Sequence, residues 1–188
     1  MTKKQHNLFS DQEWYTKSVS IFAQAERAIK PRTHHSGQMA LLYVALIVLM
    51  VVAQLFTFDG FLTVLAGFEL PFGTGATYAL GATLIAAEVF SLPFLLRMTL
   101  SRPFRWFSMI CGWLVATIWL FLTSWLLLTN IPVETVGFLG TVSLIPGPWT
   151  VLLSVAFTII AAWTSWGLWP GYRYGKVRTS AKKKVSSK

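Results

Sequence analysis

The sequence predicts an all-α membrane protein, a bundle of four transmembrane helices preceded by an amphipathic helix and carrying apolar loops on its outer side. Of the 188 residues, 54% are hydrophobic and only 12% are charged, whereas soluble domains carry roughly 25% charged residues. The apolar residues are gathered into four runs of about 20 residues or more, the length that crosses a bilayer. We therefore expect lipid to solvate much of the surface.

The N-terminal segment, residues 1–38, is mostly polar, and residues 10–30 within it predict an amphipathic helix. Ser10 and Glu13 have the spacing of a capping box, and the apolar residues that follow recur at helical spacing. Such a helix either lies on the cytoplasmic surface of the membrane or packs against the inner face of the bundle. The sequence leaves both alternatives open.

Residues 39–170 form the predicted transmembrane domain. Every backbone N–H and C=O inside lipid must be paired within its own segment, so each apolar run is expected to be a helix. The four predicted spans are residues 39–58, 77–96, 104–128 and 149–169.

The segments outside the spans have compositions of their own. After the first span, Asp59 to Ala66 predicts a short helix at the membrane interface, and residues 130–148 contain the β-branched residues and glycines that suit a short β-hairpin. Residues 171–188 are polar and basic, which predicts a disordered cytoplasmic tail.

The positions of the sixteen Lys and Arg residues predict the topology. Six precede the first span, three lie at the turn between the second and third (Arg105 at the very start of the third), seven follow the fourth, and the other two loops contain none. Basic residues stay cytoplasmic, so we expect both termini inside the cell and the bundle in the plasma (inner) membrane. Basic residues beside a membrane are attracted to anionic lipid, and this placement makes lipid, not nucleic acid, the expected partner. The predicted inner-surface lipid contacts are Arg97, Arg102, Arg105, Arg173, Lys176 and Arg178.

Glu88 is the one ionisable residue deep within a predicted span, about nine residues or roughly 13 Å from its inner end. A charge at such depth costs about 2.5 to 3.5 kcal/mol, so Glu88 should face the bundle interior. It is a candidate proton relay, a candidate polar anchor for a head group such as a quinone, or a structural hydrogen-bonding group. We predict no catalytic residue and no metal site, because no nucleotide, zinc or nucleophile motif is present. The single cysteine, Cys111, excludes an intramolecular disulfide.

Two stretches of the sequence resemble the DoxX-like superfamily, and most of all its MauE branch: FTFDGFLTVLAGFELPFG and ATLIAAEVFSLPFLLRM. Asp59, Leu70 and Pro71 are similar to the loop after the first span of MauE-type proteins, and Glu88 to a glutamate of their second span. The resemblance implies a bacterial four-helix membrane protein linked to maturation of disulfide-rich periplasmic enzymes or to quinone redox metabolism. Many such proteins carry a cysteine pair before the last span, and the comparable stretch here, residues 136–140, contains neither cysteine.

Taken together, these features predict a non-catalytic membrane accessory protein that holds a lipophilic ligand or a membrane or extracytoplasmic partner protein. We expect no cofactor, with a quinone or a lipid as the alternative ligands. The second hypothesis is a quinone-linked oxidoreductase subunit that uses Glu88 in proton transfer. A small transporter or channel ranks last, because one ionisable residue makes a poor polar pathway through four spans.

Overall fold

A computed structural model describes residues 31–71 and 73–169 of the chain. All regular secondary structure in this part is helical, as the sequence predicts. The helices are α1 (His34–Phe56), α2 (Phe58–Ala66), α3 (Gly73–Leu95), α4 (Arg102–Thr129) and α5 (Pro148–Leu168). The predicted amphipathic helix of residues 10–30 and the basic tail of residues 171–188 lie outside the described residues.

Four of these helices, α1, α3, α4 and α5, are long and apolar enough to cross a membrane. They confirm the four predicted spans, with boundaries that differ by a few residues. The largest difference is at α1, which begins five residues earlier than the apolar run. Thr33 explains the difference, because it forms a reciprocal capping box with Ser36 and starts the helix within the polar segment.

The four spans form a closed ring, in which α1 and α4 each pack against both α3 and α5. At one end of the bundle the N–H of Arg32 donates to the carbonyl of Gly167, so the start of α1 lies beside the end of α5. We call this the basic end, and it also includes the α3–α4 turn (residues 96–101). The opposite end, which contains α2 and the α4–α5 loop (residues 130–147), is the loop end.

The ring leaves α1 and α4 diagonally opposite each other, and Tyr43 connects them. Its hydroxyl donates to the carbonyl of Gly112 at 2.8 Å, and the whole side chain is buried. A Cβ at Gly112 would make ordinary van der Waals contacts with Ser91 and Tyr43, at 3.7 and 3.9 Å, so this approach does not depend on the glycine. A polar contact at the centre of the ring thus fixes how the two diagonal helices face each other.

Pro93 lies inside α3 and removes one backbone donor from it. Ser108 of α4 compensates at this point. Its hydroxyl donates to the carbonyl of Phe90 and accepts from the N–H of Phe94 at 3.0 Å. These two backbone groups would pair with each other in an unbroken helix, so α4 completes the hydrogen bonding of α3 beside the proline.

The predicted short helix of the first loop is confirmed, because α2 includes Asp59 to Ala66. It packs on α3 at Gly81, where a Cβ would come within 2.8 Å of Leu62 and Leu65. The carbonyl of Phe68, just after α2, accepts a hydrogen bond from the indole of Trp125 at 3.0 Å. The loop between α1 and α3 is therefore packed onto the bundle and does not extend away from it.

The α4–α5 loop does not form the expected β-hairpin. Its two arms are joined by Val136 N–H to the Leu144 carbonyl (3.0 Å) and by the Thr135 hydroxyl to the Val142 carbonyl (2.6 Å). No regular ladder follows, because the tip turns down into the bundle and buries Val136 and Phe138. Two glycines with positive φ, Gly137 and Gly140, make this turn.

Candidate functional site: a buried polar cluster

Glu88 lies on the inward face of α3 and is fully buried. It is seven residues from the helix end at Leu95, about 10 Å along the axis. The sequence predicts an inward-facing acid at about this depth, and its position agrees. The structure adds the identity of its neighbours, which come from three other parts of the chain.

The Glu88 carboxyl group has two hydrogen-bond donors, and both reach the same oxygen. Gln54 Nε2 on α1 and Trp119 Nε1 on α4 each donate to Glu88 Oε1 at 3.4 Å. Both distances are longer than the usual 2.9 to 3.0 Å, so both bonds are weak. Both donors are neutral, so no cation compensates a charge on Glu88 through these bonds.

The α4–α5 loop is the fourth contributor to this site. Gln54 Nε2 also donates to the carbonyl of Phe138 at 3.2 Å. The Phe138 ring stacks on the Trp119 indole, with ring centres 4.3 Å apart and planes at 26°. We call Gln54, Glu88, Trp119 and Phe138 the buried polar cluster. It ties the loop to three of the four spans.

Two oxygen atoms of the cluster, Glu88 Oε2 and Gln54 Oε1, are buried without a hydrogen-bond partner. Rotating the Gln54 amide would not help, because Nε2 already faces two acceptors and an oxygen in its place would repel both. The cluster therefore has more acceptors than donors. A proton on Glu88 would change the balance, because the neutral acid supplies an O–H donor where a carboxylate supplies none.

What the buried polar cluster can bind follows from its having fewer hydrogen-bond donors than acceptors. Unpaired buried acceptors are costly, at about 1 to 3 kcal/mol each. The cluster is thus suited to hold a proton or to accept a hydrogen bond from a small polar group. Phe138 covers it from the loop end, so a ligand from that side reaches Glu88 only if the loop moves.

The remaining predicted site residues do not join this cluster. Arg97 and Arg102 are exposed at the basic end, where the sequence predicts lipid contacts. Arg105 is buried, with 7% of the residue exposed. Arg173, Lys176 and Arg178 lie outside the described residues. Within residues 31–71 and 73–169 no group of three or more His, Cys, Asp or Glu residues could hold a metal ion.

The sequence interpretation missed Gln54, Trp119 and Phe138. A signal existed for Gln54, because it is the one amide within the apolar run of the first span, and polar residues in spans commonly hydrogen-bond across helices. Trp119 is one of nine tryptophans, and nothing in its spacing distinguishes it. Phe138 contributes a backbone carbonyl, which no side-chain pattern can reveal.

Comparison with known proteins does not assign the chain to a family: no family model, curated protein or solved structure matches it. What the chain does must therefore be argued from its own residues.

Proposed function

We propose that this chain is a non-catalytic membrane accessory protein that holds a lipophilic ligand or a partner protein. It acts through the surface of a closed four-helix bundle, and Glu88 is its interior polar anchor.

The observation that carries this proposal is the use of Glu88 within the fold. Its side chain is fully buried and bonded to α1 and α4, and the same amide that reaches it also holds the α4–α5 loop. A group that joins four segments of the chain has the geometry of an anchor. A catalytic acid or a transport site would need contact with substrate or solvent.

The loop end is the surface we propose for a protein partner. Three apolar side chains of the α4–α5 loop and the start of α5 are exposed there: Val142 (53%), Ile145 (70%) and Trp149 (46%). The loop that bears the first two is fixed to the bundle by the buried polar cluster. Exposed apolar residues on a fixed loop favour association with another apolar surface.

Family and location are part of the same proposal. The four spans, the helix at Asp59 to Ala66 and the buried Glu88 support the resemblance to DoxX-like, MauE-type proteins. Many MauE-type proteins have a cysteine pair in the stretch that corresponds to residues 136–140. In this chain Phe138 lies in that stretch and packs on Trp119. The protein then lies in a bacterial plasma membrane with its basic end and both termini on the cytoplasmic side. The loop end faces an extracytoplasmic partner.

Purification of the full chain in mild detergent tests the proposal, with mass spectrometry of the copurified lipids, quinones and proteins. We expect one lipophilic species or one protein at a fixed ratio to the chain. We expect the ratio to fall when Ile145→Asp disrupts the loop-end surface, if the bound species is a protein. Thr74→Asp, on an exposed residue at the same end of the bundle and outside this surface, is the matched control. Recovery of the chain alone, with activity towards a quinone, would contradict the proposal.

The second candidate is a quinone-linked oxidoreductase subunit, and the unpartnered Glu88 Oε2 favours it. An unpaired buried oxygen is a natural acceptor for a proton in transfer. Redox titration with a quinone, repeated on Glu88→Gln, separates the two candidates. The oxidoreductase hypothesis requires that Glu88→Gln abolish quinone turnover. Glu134→Gln, the same change at an exposed position, should leave quinone turnover intact.

A further inference from the structure

A groove lies between α1 and α3 at the basic end of the bundle, with a volume of about 260 Å³. It is separate from the buried polar cluster and shares no residue with it. Among the residues that line it are His34, Gln38, Leu41, Leu95, Leu96 and Arg97.

The polar and apolar lining residues divide the groove into two kinds of surface. Arg97, His34 and Gln38 are among the lining residues, and their side chains carry guanidinium, imidazole and amide N–H groups that can donate hydrogen bonds. Leu41 (64% exposed) and Leu96 (49% exposed) supply an open apolar wall beside them. A ligand that satisfies both is an anion with a hydrocarbon chain attached.

The backbone at Arg97 supports a specific use for its side chain. Arg97 has φ of 56°, and it ends α3 with its N–H bonded to the Phe94 carbonyl, while Met98 N–H bonds to the Pro93 carbonyl. Glycine is the residue preferred at such a left-handed helix end, and other residues are strained there. Arg97 lines the groove, so an arginine is kept beside it at the expense of backbone strain.

We propose that this groove is a binding site for the phosphate group of an anionic phospholipid. Arg97 and His34 bind the phosphate, Gln38 adds a hydrogen bond, and an acyl chain lies along Leu41 and Leu96. Planar guanidinium groups bind phosphate through paired charge-assisted bonds. The spans place the groove where the head groups of one leaflet meet the hydrocarbon.

A second groove at the same end provides an internal comparison. It is lined by Arg32 and several aromatic residues between α4 and α5, and the Arg32 guanidinium lies over the Trp166 ring at 5.1 Å. That cation already has a partner within the protein, through a cation–π contact. The α1–α3 groove, which three residues with donor side chains line, is the better phosphate site.

Native mass spectrometry of the full chain, titrated with phosphatidylglycerol or phosphatidylcholine, tests the proposal. We expect one phosphatidylglycerol to bind with higher affinity than phosphatidylcholine. Arg97→Gln should weaken the binding of phosphatidylglycerol roughly tenfold or more, since it removes charge-assisted hydrogen bonds to the phosphate. Arg102→Gln removes the same charge from a nearby exposed residue outside the groove. It should change the affinity less than about twofold, as an exposed charge contributes little.

Arg97→Gly separates binding from folding, because glycine tolerates this backbone conformation while lacking the side chain. We expect it to fold as stably as the unaltered chain and to lose lipid affinity as Arg97→Gln does.

Equal losses of affinity in Arg97→Gln and Arg102→Gln would overturn the proposal in favour of diffuse electrostatic attraction. Both lipids carry the same phosphodiester and differ in the choline cation, so equal affinity for them would overturn the preference for a net anionic head group. Diacylglycerol lacks the phosphate and should bind far more weakly than phosphatidylglycerol, and equal binding of these two would overturn the phosphate site. Displacement of lipid by inorganic phosphate at matched concentration would make the ligand a soluble anion and would overturn the lipid site. Arg97→Gln should leave unchanged the amount of any species held at the loop end or near Glu88, so failure of this proposal is distinguishable from failure of the proposed function.

Discussion

At the scale of single residues, Glu88 shows how one polar group is accommodated in an apolar bundle. Insertion of an acid into the membrane interior is costly, and the two 3.4 Å hydrogen bonds from Gln54 and Trp119 offset part of that cost. Both donors reach Oε1 and none reaches Oε2. The site therefore provides hydrogen bonds to only one of the two carboxyl oxygens.

Substitution of Glu88 tests this interpretation. Glu88→Gln keeps the acceptor oxygen for both donors and places an NH₂ group where Oε2 is also without a partner, so we expect the free energy of unfolding to change by less than about 1 kcal/mol. Glu88→Leu has similar volume but leaves Trp119 Nε1 without its acceptor, and should lose about 1 to 3 kcal/mol. Unfolding in mixed micelles by a denaturing detergent measures both. A Glu88→Gln protein as unstable as Glu88→Leu would mean that the negative charge itself is required.

At the scale of elements, the α4–α5 loop depends on how closely its tip approaches α1. Gly140 has φ of 63°, and a Cβ there would collide with the Thr57 hydroxyl and lie 2.9 Å from the Ala53 carbonyl. The loop can bring Phe138 to Trp119 only because this position carries no side chain. Backbone conformation at one glycine thus controls whether the buried polar cluster is covered.

Gly140→Ala should therefore displace the loop. We expect a loss of stability of about 1 to 3 kcal/mol from backbone strain and steric contact combined, and faster hydrogen exchange over residues 135–144. Gly75→Ala is the matched control, since a Cβ at Gly75 on α3 would meet no atom within 4 Å. It should leave exchange in the loop unchanged and stabilise the helix by up to about 1 kcal/mol. Unaltered exchange in Gly140→Ala would show that the loop does not depend on this contact.

At the scale of the whole molecule, the ring of four spans brings the start of α1 beside the end of α5. An even number of crossings requires that both lie at the same end of the bundle, and the Lys and Arg tally of 6, 0, 3, 0 and 7 along the chain has the same alternation. Geometry and charge therefore agree on which segments share a side. The charge bias further predicts that this shared side is the cytoplasm.

Cysteine labelling tests that orientation, starting from Cys111→Ala so that every label reports an introduced site. In intact cells a membrane-impermeant maleimide should label Glu134→Cys, in the exposed part of the α4–α5 loop. It should label Ser10→Cys and Ser180→Cys only after permeabilisation. Labelling of either terminal site in intact cells would reverse or break the predicted topology.

The sequence by itself determined the four spans, their approximate limits and the burial of Glu88. Each of these follows from the contact of a local segment with lipid, because hydrocarbon demands about 20 apolar residues with all backbone groups paired internally. Even the short helix α2 was predictable from its own residues. The start of α1 was less so, because a capping box extended that helix beyond the apolar run.

Only the tertiary structure decided what surrounds Glu88 and where the outer loop goes. Gln54 is 34 residues from Glu88 along the chain, Trp119 is 31 residues away, and the bond from Gln54 to Phe138 joins groups 84 residues apart. No local pattern encodes such pairings, since they depend on the order and rotation of helices in the ring. The expected β-hairpin failed for the same reason: burial of Val136 and Phe138 against the bundle outweighed the pairing of two short strands.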